Sequence, residues 1–298
     1  MTTQFAVQKV LHLYKELEKK KPSLVGDYMA TCKIEGWYLL IHYIKNLGWQ
    51  TPLSYNSTSK TFLEVPSLVW TSSLLQELPT PQWNCTLIVE GIVPGLPFEK
   101  TKGLLNRKNE PCLEVQFCMH DLVVPSLPLL SSIERWNLLQ LLDISGCGKL
   151  FKKLELIQVS SFNQLLWENL AAKYIAQGEE GIVFKKADAA YAFGKRNSTL
   201  LKLKMECEKD LQCLRLELTQ GKKGNTGYTL ISKGLNNVEV RTVVNSHEEQ
   251  DKLIRLDKAG VLDKYCVKVK AMRHLEDGNL KEPVYVGIRS DKDVSQID

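Results

Sequence analysis

Lys33, within Thr31-Cys32-Lys33-Ile34-Glu35-Gly36-Trp37, is the residue of this 298-residue chain around which a chemistry can be built. A lysine ammonium is ordinarily inert at neutral pH, because a pKa near 10.4 keeps it protonated, and it needs cationic or dry surroundings to act as a nucleophile. Taken alone, a lysine just before a glycine turn is a surface residue. Later residues supply the surroundings. Lys202 and Lys204 share one face of the apolar strand expected at 200–203. Two lysines on one face are costly unless they meet anions, and phosphate is the obvious anion. They also provide a cationic neighbourhood that would hold Lys33 partly neutral. Glu180 precedes the apolar run Ile182-Val183-Phe184, and Lys185 follows it. Alternation points Glu180 the same way as Ile182 and Phe184, which is odd for a purely structural strand. Glu180 is therefore expected to face a pocket, satisfied by a lysine or by a hard cation such as Mg²⁺.

The elements that must position these groups follow from periodicity. Val10, Leu13, Tyr14 and Leu17 fall at helical spacing, predicting a helix over 7–21 closed by Pro22. Strands are expected at 39–44 and at 86–93, the second placing Glu90 beside the turn Pro94-Gly95, where a solvent-facing acid is the default. Residues 113–124 read as a strand carrying His120 and Asp121, the aspartate bracing its surroundings through hydrogen bonds. An amphipathic helix over 132–142, with Arg135, Leu138, Leu139 and Leu142, stops at Gly146 and Gly148. A strand at 154–159, a helix at 163–176 and a turn at 178–181 lead back to Glu180.

The charged stretch Glu206-Cys207-Glu208-Lys209-Asp210 marks a boundary between domains 1–206 and 207–298. The second part holds five short strands and one charged helix at 247–256, the pattern of a small closed barrel. Over 265–270, Tyr265, Val267 and Val269 alternate with Cys266, Lys268 and Lys270, giving one core face and one basic face. The basic face suits a duplex backbone, and a solvated edge has the same pattern. The chain ends in the charged tetrapeptide Arg289-Ser290-Asp291-Lys292.

Hydrophobic residues make up 44% of the chain and charged residues 24%, the balance of an ordinary globular protein, and no run is long enough to span a bilayer. A formal charge of +5 permits a phosphate-rich partner without requiring one. The eight cysteines include no Cys-x-x-Cys pair, so free thiols in a reducing compartment are expected and a zinc site is not.

Taken in order, Lys33-Ile34-Glu35-Gly36, Ile88-Val89-Glu90-Gly91, His120-Asp121, Glu180 to Lys185, Leu201-Lys202-Leu203-Lys204 and Arg289 to Lys292 resemble the motifs of ATP-dependent polynucleotide ligases. The likeness is greatest to the minimal viral and phage DNA ligases of the covalent nucleotidyltransferase superfamily, and it spans nearly the whole chain. It implies an α+β fold, an ATP-grasp-like adenylation domain followed by an OB-fold barrel. It also implies ATP and Mg²⁺ as cofactors, nicked duplex DNA as partner, no membrane, a monomer, and the cytoplasm, that of the host if the chain is viral. By the same resemblance Lys33 becomes covalently adenylated, Thr31 helps read the adenine, and Glu35 and Lys185 bind the nucleotide. His120 would stack on the purine, although a core or surface histidine fits the sequence equally well. Glu90 and Glu180 would meet ribose or metal, Lys202 and Lys204 the α-phosphate, and Arg289 and Lys292 the β- and γ-phosphates. Two arginines of the family pattern are missing, with Tyr38 and Ser57 in their places; Lys45, Lys60 and Arg196 are the nearby cations that could substitute. A capping-type guanylyltransferase, an RNA ligase and a nucleic-acid-binding relic are the alternatives.

Overall fold

The computed structural model describes residues 6–19, 24–56, 61–147, 149–159, 162–204, 206–220, 226–275 and 277–297. The chain divides into two compact units, residues 1–204 and 205–298.

The first unit begins with β1 (Lys9–His12) and the short helix α1 (Leu13–Leu17), where the periodicity predicts one long helix. Tertiary demand overrides propensity here: β1 pairs in parallel with a later strand, His12 opposite Lys202, and satisfies backbone groups that a helix would leave open. Pro22 lies outside the described residues. There follow β2 (Tyr28–Lys33), β3 (Trp37–Ile44), β4 (Gly48–Trp49), β5 (Leu53–Asn56), β6 (Thr61–Glu64), α2 (Thr71–Leu75), β7 (Cys85–Ile92), α3 (Phe98–Leu105) and β8 (Gln116–Val123). The unit is completed by α4 (Ser132–Leu141), β9 (Phe151–Lys153), β10 (Ile157–Val159), α5 (Gln164–Ala176), β11 (Gly181–Lys186) and β12 (Arg196–Lys204). Helix α4 opens with a capping box between Ser131 and Glu134, and α5 with Asn163 as N-cap.

These strands form two sheets, ordered β1-β12-β11-β2-β10 and β6-β5-β3-β7-β8-β9, with β4 on β3. One face of the first sheet buries Tyr28, Ala30, Ile182, Phe184, Leu201 and Leu203 against Leu13 of α1 and Trp167, Ala171 and Tyr174 of α5. Trp167 stacks on Phe184 with ring centroids 3.8 Å apart. The second sheet buries Leu39, Ile41, Leu87, Val89 and Phe117 in a larger core that takes in Leu105 of α3 and Trp136 and Leu139 of α4. Burial of each large side chain is worth about 1.5–3 kcal/mol, which commits these faces inward. Period-two alternation then leaves the chemistry-bearing residues on the faces opposite.

The second unit comprises β13 (Cys207–Gln220), β14 (Thr226–Lys233), β15 (Glu239–Val244), α6 (His247–Lys258), β16 (Tyr265–Ala271) and β17 (Val284–Asp293), in the antiparallel order β15-β14-β13-β16-β17. Among the described residues no ladder joins β15 to β17, so the unit is a five-stranded sheet where a closed barrel was expected. Helix α6 covers the core there, with Leu253 buried and Glu249 accepting from Tyr285 Oη of β17 at 2.6 Å. Val267 and Val269 are core, as the alternation predicts, but Cys266 is fully buried too. Cys266 stands opposite Arg289 on β17 and Gln212 on β13, beside a register shift at which residues 290–292 of β17 have no partner on β16. The basic face is also less open than expected, because Lys268 and Lys270 both pair with Glu208.

Candidate active site

Three rungs across β2, β11 and β12 organise the site. Lys33, Gly181 and Lys204 stand opposite one another, then Thr31, Val183 and Lys202, then Met29, Lys185 and Leu200. Directly opposed residues of an antiparallel pair share a face, so Thr31, Lys33, Lys185, Lys202 and Lys204 all lie on the side away from the Trp167 core. The same-face placement of Lys202 and Lys204 follows the sequence expectation.

Glu180 reaches this group by a different route from the one alternation suggests. Ile182 and Phe184 are fully buried in the core, whereas the Glu180 carboxylate pairs with both Lys33 Nζ and Lys204 Nζ. The strand starts at Gly181, whose φ of +147° turns the chain just before it. A Cβ at Gly181 would stand 2.2 Å from the Leu203 carbonyl oxygen, so glycine is required by space as well as by conformation. The surroundings of Lys33 are accordingly not purely cationic, because Glu180 sits between it and Lys204.

The second sheet contributes Tyr38, Glu90, His120 and Asp121. Tyr38 stands opposite Glu90, and Glu90 opposite Cys118. Ile88 pairs with Asp121 and Val89 with Met119, leaving His120 as the extra residue of a β-bulge. A bulge re-aims a side chain without ending the strand. Asp121 takes Arg135 Nε at 2.9 Å, Arg135 Nη2 at 3.2 Å and Lys185 Nζ at 3.1 Å, and Lys185 also donates to the His120 carbonyl. Lys185 thus ties the first sheet to the second. Burial pushes the Asp121 carboxyl up, but Lys185 and Arg135 outweigh it and hold the group at about 2. Burial lowers the pKa of Lys185, against the pull of Asp121.

Burial pushes Glu90 up to about 8; Lys33 opposes the shift and Glu180 adds to it. Burial, with Lys185 and Lys33 nearby, lowers His120 to about 3. Thr31 Oγ1, Glu90 Oε2 and His120 Nε2 are buried without a hydrogen-bond partner among the described residues. An unsatisfied buried polar atom costs about 1–3 kcal/mol, so three in one site mark a place built for a polar ligand.

Gln8 and Tyr191 were given no role by sequence reasoning. Gln8, inside the expected helix, is buried: its backbone N–H donates to Tyr191 Oη at 3.0 Å, its Nε2 to Thr199 Oγ1 at 2.9 Å, and its Oε1 accepts from Ala192 N at 3.2 Å. Tyr38 packs with Leu40, Ile88, Val123 and Tyr191, and burial, with Tyr191 and Glu90 beside it, drives its hydroxyl well above the usual range. Lys45 lies just beyond the far end of β3, seven residues or about 23 Å from Tyr38. Arg196 begins β12, six residues before Lys202, and Glu35 is half-buried between β2 and β3. Ser57 and Lys60 lie outside the described residues. Arg289 and Lys292 belong to the second unit, where both pair with Asp210.

Residues 94–204 match the ATP dependent DNA ligase domain family. None of the curated proteins matches the chain. Among solved structures, Pmar-Lig_Pre is 18% identical with a TM-score of 0.75, over 97% of this chain and 68% of that one. A structure from a study of Lig E DNA ligases, described as DNA binding with a minimal scaffold, gives 18% and 0.69 over 95% and 99%. The ATP-dependent DNA ligase of bacteriophage T7, in complex with ATP, gives 16% and 0.52 over 95% and 98%. The chain shares its fold with these ligase structures. The ligase-domain match covers residues 94–204, which include β8, β11 and β12 of the site.

Proposed function

We infer that this chain is a minimal-type ATP-dependent DNA ligase of the covalent nucleotidyltransferase superfamily, which seals 5′-phosphate/3′-hydroxyl nicks in duplex DNA through a Lys33–AMP intermediate and a DNA-adenylate. The observation that carries the reading is the Lys33–Glu180–Lys204 group beside three unpartnered buried polar atoms. Thr31 Oγ1 and His120 Nε2 are free to meet the base, with His120 re-aimed by its bulge. Lys202 and Lys204 face the α-phosphate and stabilise the charge that builds on it. The Lys33 ammonium passes a proton to the Glu180 carboxylate it faces, and Nζ forms a bond to the α-phosphorus as the bond to the departing pyrophosphate breaks. An oxygen of the nick 5′-phosphate then displaces Lys33 from the adenylate, and the 3′-hydroxyl displaces AMP.

Glu90 fits a hard cation, since one of its buried oxygens lacks a partner and its carboxyl is held near 8 by burial. Glu180 would be the second carboxylate, and phosphates and water would complete the shell, since no group of three or more His, Cys, Asp or Glu side chains converges among the described residues. Bound there, Mg²⁺ would neutralise developing phosphate charge. The second unit has the strand order of an OB-fold left open between β15 and β17, and Arg289 and Lys292 on β17 are the cations it would offer to the β- and γ-phosphates. No helix among the described residues is long and apolar enough to cross a membrane. Nicked duplex DNA is the partner, and a monomer acting in the cytoplasm suffices.

The test is a single-turnover assay at low salt with ATP, Mg²⁺ and a 5′-phosphorylated nick in DNA, beside the same nick in RNA. Joined DNA and α-phosphate label on Lys33, lost in Lys33→Ala, are expected. Stable AMP-lysine with no joined product on either nucleic acid would defeat the sealing reading. Preferential formation of GMP-lysine would indicate capping chemistry instead.

A further inference from the structure

Arg289 and Lys292 are three residues apart on β17, so a regular strand would send them to opposite faces. The strand is not regular there. Cys266 pairs with Arg289 and the preceding Tyr265 with Asp293, so residues 290–292 bulge out between two paired positions. Asp210 lies on β13 opposite Lys268 of β16, which in turn stands opposite Gly287 of β17. Two strand spacings separate β13 from β17, about 9.6 Å, a gap that long cationic side chains can cross. Both cross it. Arg289 Nη1 donates to Asp210 Oδ1 at 3.1 Å and Oδ2 at 3.0 Å, and Lys292 Nζ donates to Oδ2 at 3.0 Å. The opposite edge of the guanidinium is fixed by Asp291, with Nε to Oδ1 and Nη2 to Oδ2 both at 2.8 Å. The Asp210 side chain is only 15% exposed, which strengthens its hold relative to a surface pair.

We propose that Asp210 is a positioning residue: across the bulge of β17 it gathers Arg289 and Lys292 into one two-cation grip for the polyphosphate of the nucleotide. This rests on the ligase reading above. Without the carboxylate, two like charges on a bulged strand repel and return to separate faces, and among the described residues no second group is placed to reunite them through a shared oxygen. Asp291 restrains Arg289 alone.

The grip is tested in the full chain by calorimetric titration with inorganic tripolyphosphate and by the KM for ATP in self-adenylation, on wild type, Asp210→Ala, Asp210→Asn, Asp210→Glu and the double variant Arg289→Ala/Lys292→Ala. Asp210→Ala should weaken tripolyphosphate binding about tenfold, matching the double variant, and raise KM more than it lowers the rate at saturating ATP. The isosteric Asp210→Asn should fall between, and Asp210→Glu should recover most of the affinity. Melting temperatures measured in parallel identify a merely structural role: a lower melting temperature with unchanged tripolyphosphate affinity and KM overturns the proposal. Tighter binding or a lower KM in Asp210→Ala overturns it as well, because Asp210 would then be a competitor of phosphate. A wild type that forms no AMP-lysine would sink the ligase reading, while the tripolyphosphate series would still decide whether Asp210 holds the grip.

Discussion

Replacing Glu90 with glutamine keeps the shape of a side chain that the fold buries and removes only its ionisation. The Glu90 carboxyl moves from 4.5 to about 8 on folding, chiefly through burial. At about 1.4 kcal/mol per unit, that shift corresponds to roughly 5 kcal/mol between the two protonation states. The sign follows from proton counting. Between about 4.5 and 8 the folded chain keeps a proton that the unfolded chain releases, so stability falls as pH rises through this window and levels off on either side. The substituted amide cannot titrate, and the stability difference between the Glu90→Gln variant and wild type should grow by about 1.4 kcal/mol per pH unit, reaching roughly 3 kcal/mol at pH 7. Urea unfolding followed by tryptophan fluorescence at pH 5, 6, 7 and 8, in EDTA, measures it. Adding Mg²⁺ at pH 8 should stabilise wild type more than the variant, because the ionised carboxylate then has a cation to meet. A difference that stays constant from pH 5 to 8 would refute the buried-acid account.

Gly181→Ala forces a Cβ against the Leu203 carbonyl at a positive φ; a loss of at least 1–3 kcal/mol in urea unfolding is expected, with label incorporation at Lys33 reduced because Glu180 is displaced, and wild-type values in both assays would remove the role given to this turn. Asp121→Asn strands Lys185 and Arg135 in a buried setting and should cost about 3–5 kcal/mol. The wild-type contribution of Asp121 is complete above about 3.8 and disappears as pH falls through about 2, so the gap between the two proteins should narrow only in strong acid. Gln8→Ala removes the two side-chain hydrogen bonds to Thr199 and Ala192 and keeps the backbone bond to Tyr191; it should lower stability by about 2 kcal/mol, detectable as a drop in melting temperature.

The parity of Lys202 and Lys204 was legible because it follows from strand periodicity, whereas the order of motifs was legible only through the resemblance to the ligases. The position of Lys33 at a strand end was equally open to inspection, since Gly36 and the apolar run after it mark the turn. Glu180 was recognised for an imperfect reason: alternation assigned it to the face of Ile182 and Phe184, and only a positive φ at Gly181 sends it to the other side. A single backbone angle of that kind has no periodic signature. The helix expected over 7–21 failed because the spacing of Val10, Leu13 and Leu17 carries no information about the sheet edge that claims residues 9–12. His120 was ambiguous for the same reason, since a bulge is set by the pairing of two strands distant in sequence. The Asp210 contacts span some eighty residues, and nothing local to either segment announces them.

Strand β1 has a consequence beyond placing Gln8. It is the outermost strand of its sheet and lies along β12, the nine-residue strand that carries Lys202 and Lys204. Were β1 peeled away, β12 would present a row of unsatisfied amides and carbonyls to solvent, a template for pairing with the same strand of another molecule. The four-residue β1 therefore acts as a guard against self-association. A chain shortened to begin after His12 should form dimers and larger aggregates through its exposed β12, covering the edge of the strand that carries Lys202 and Lys204 while leaving Lys33 itself unchanged.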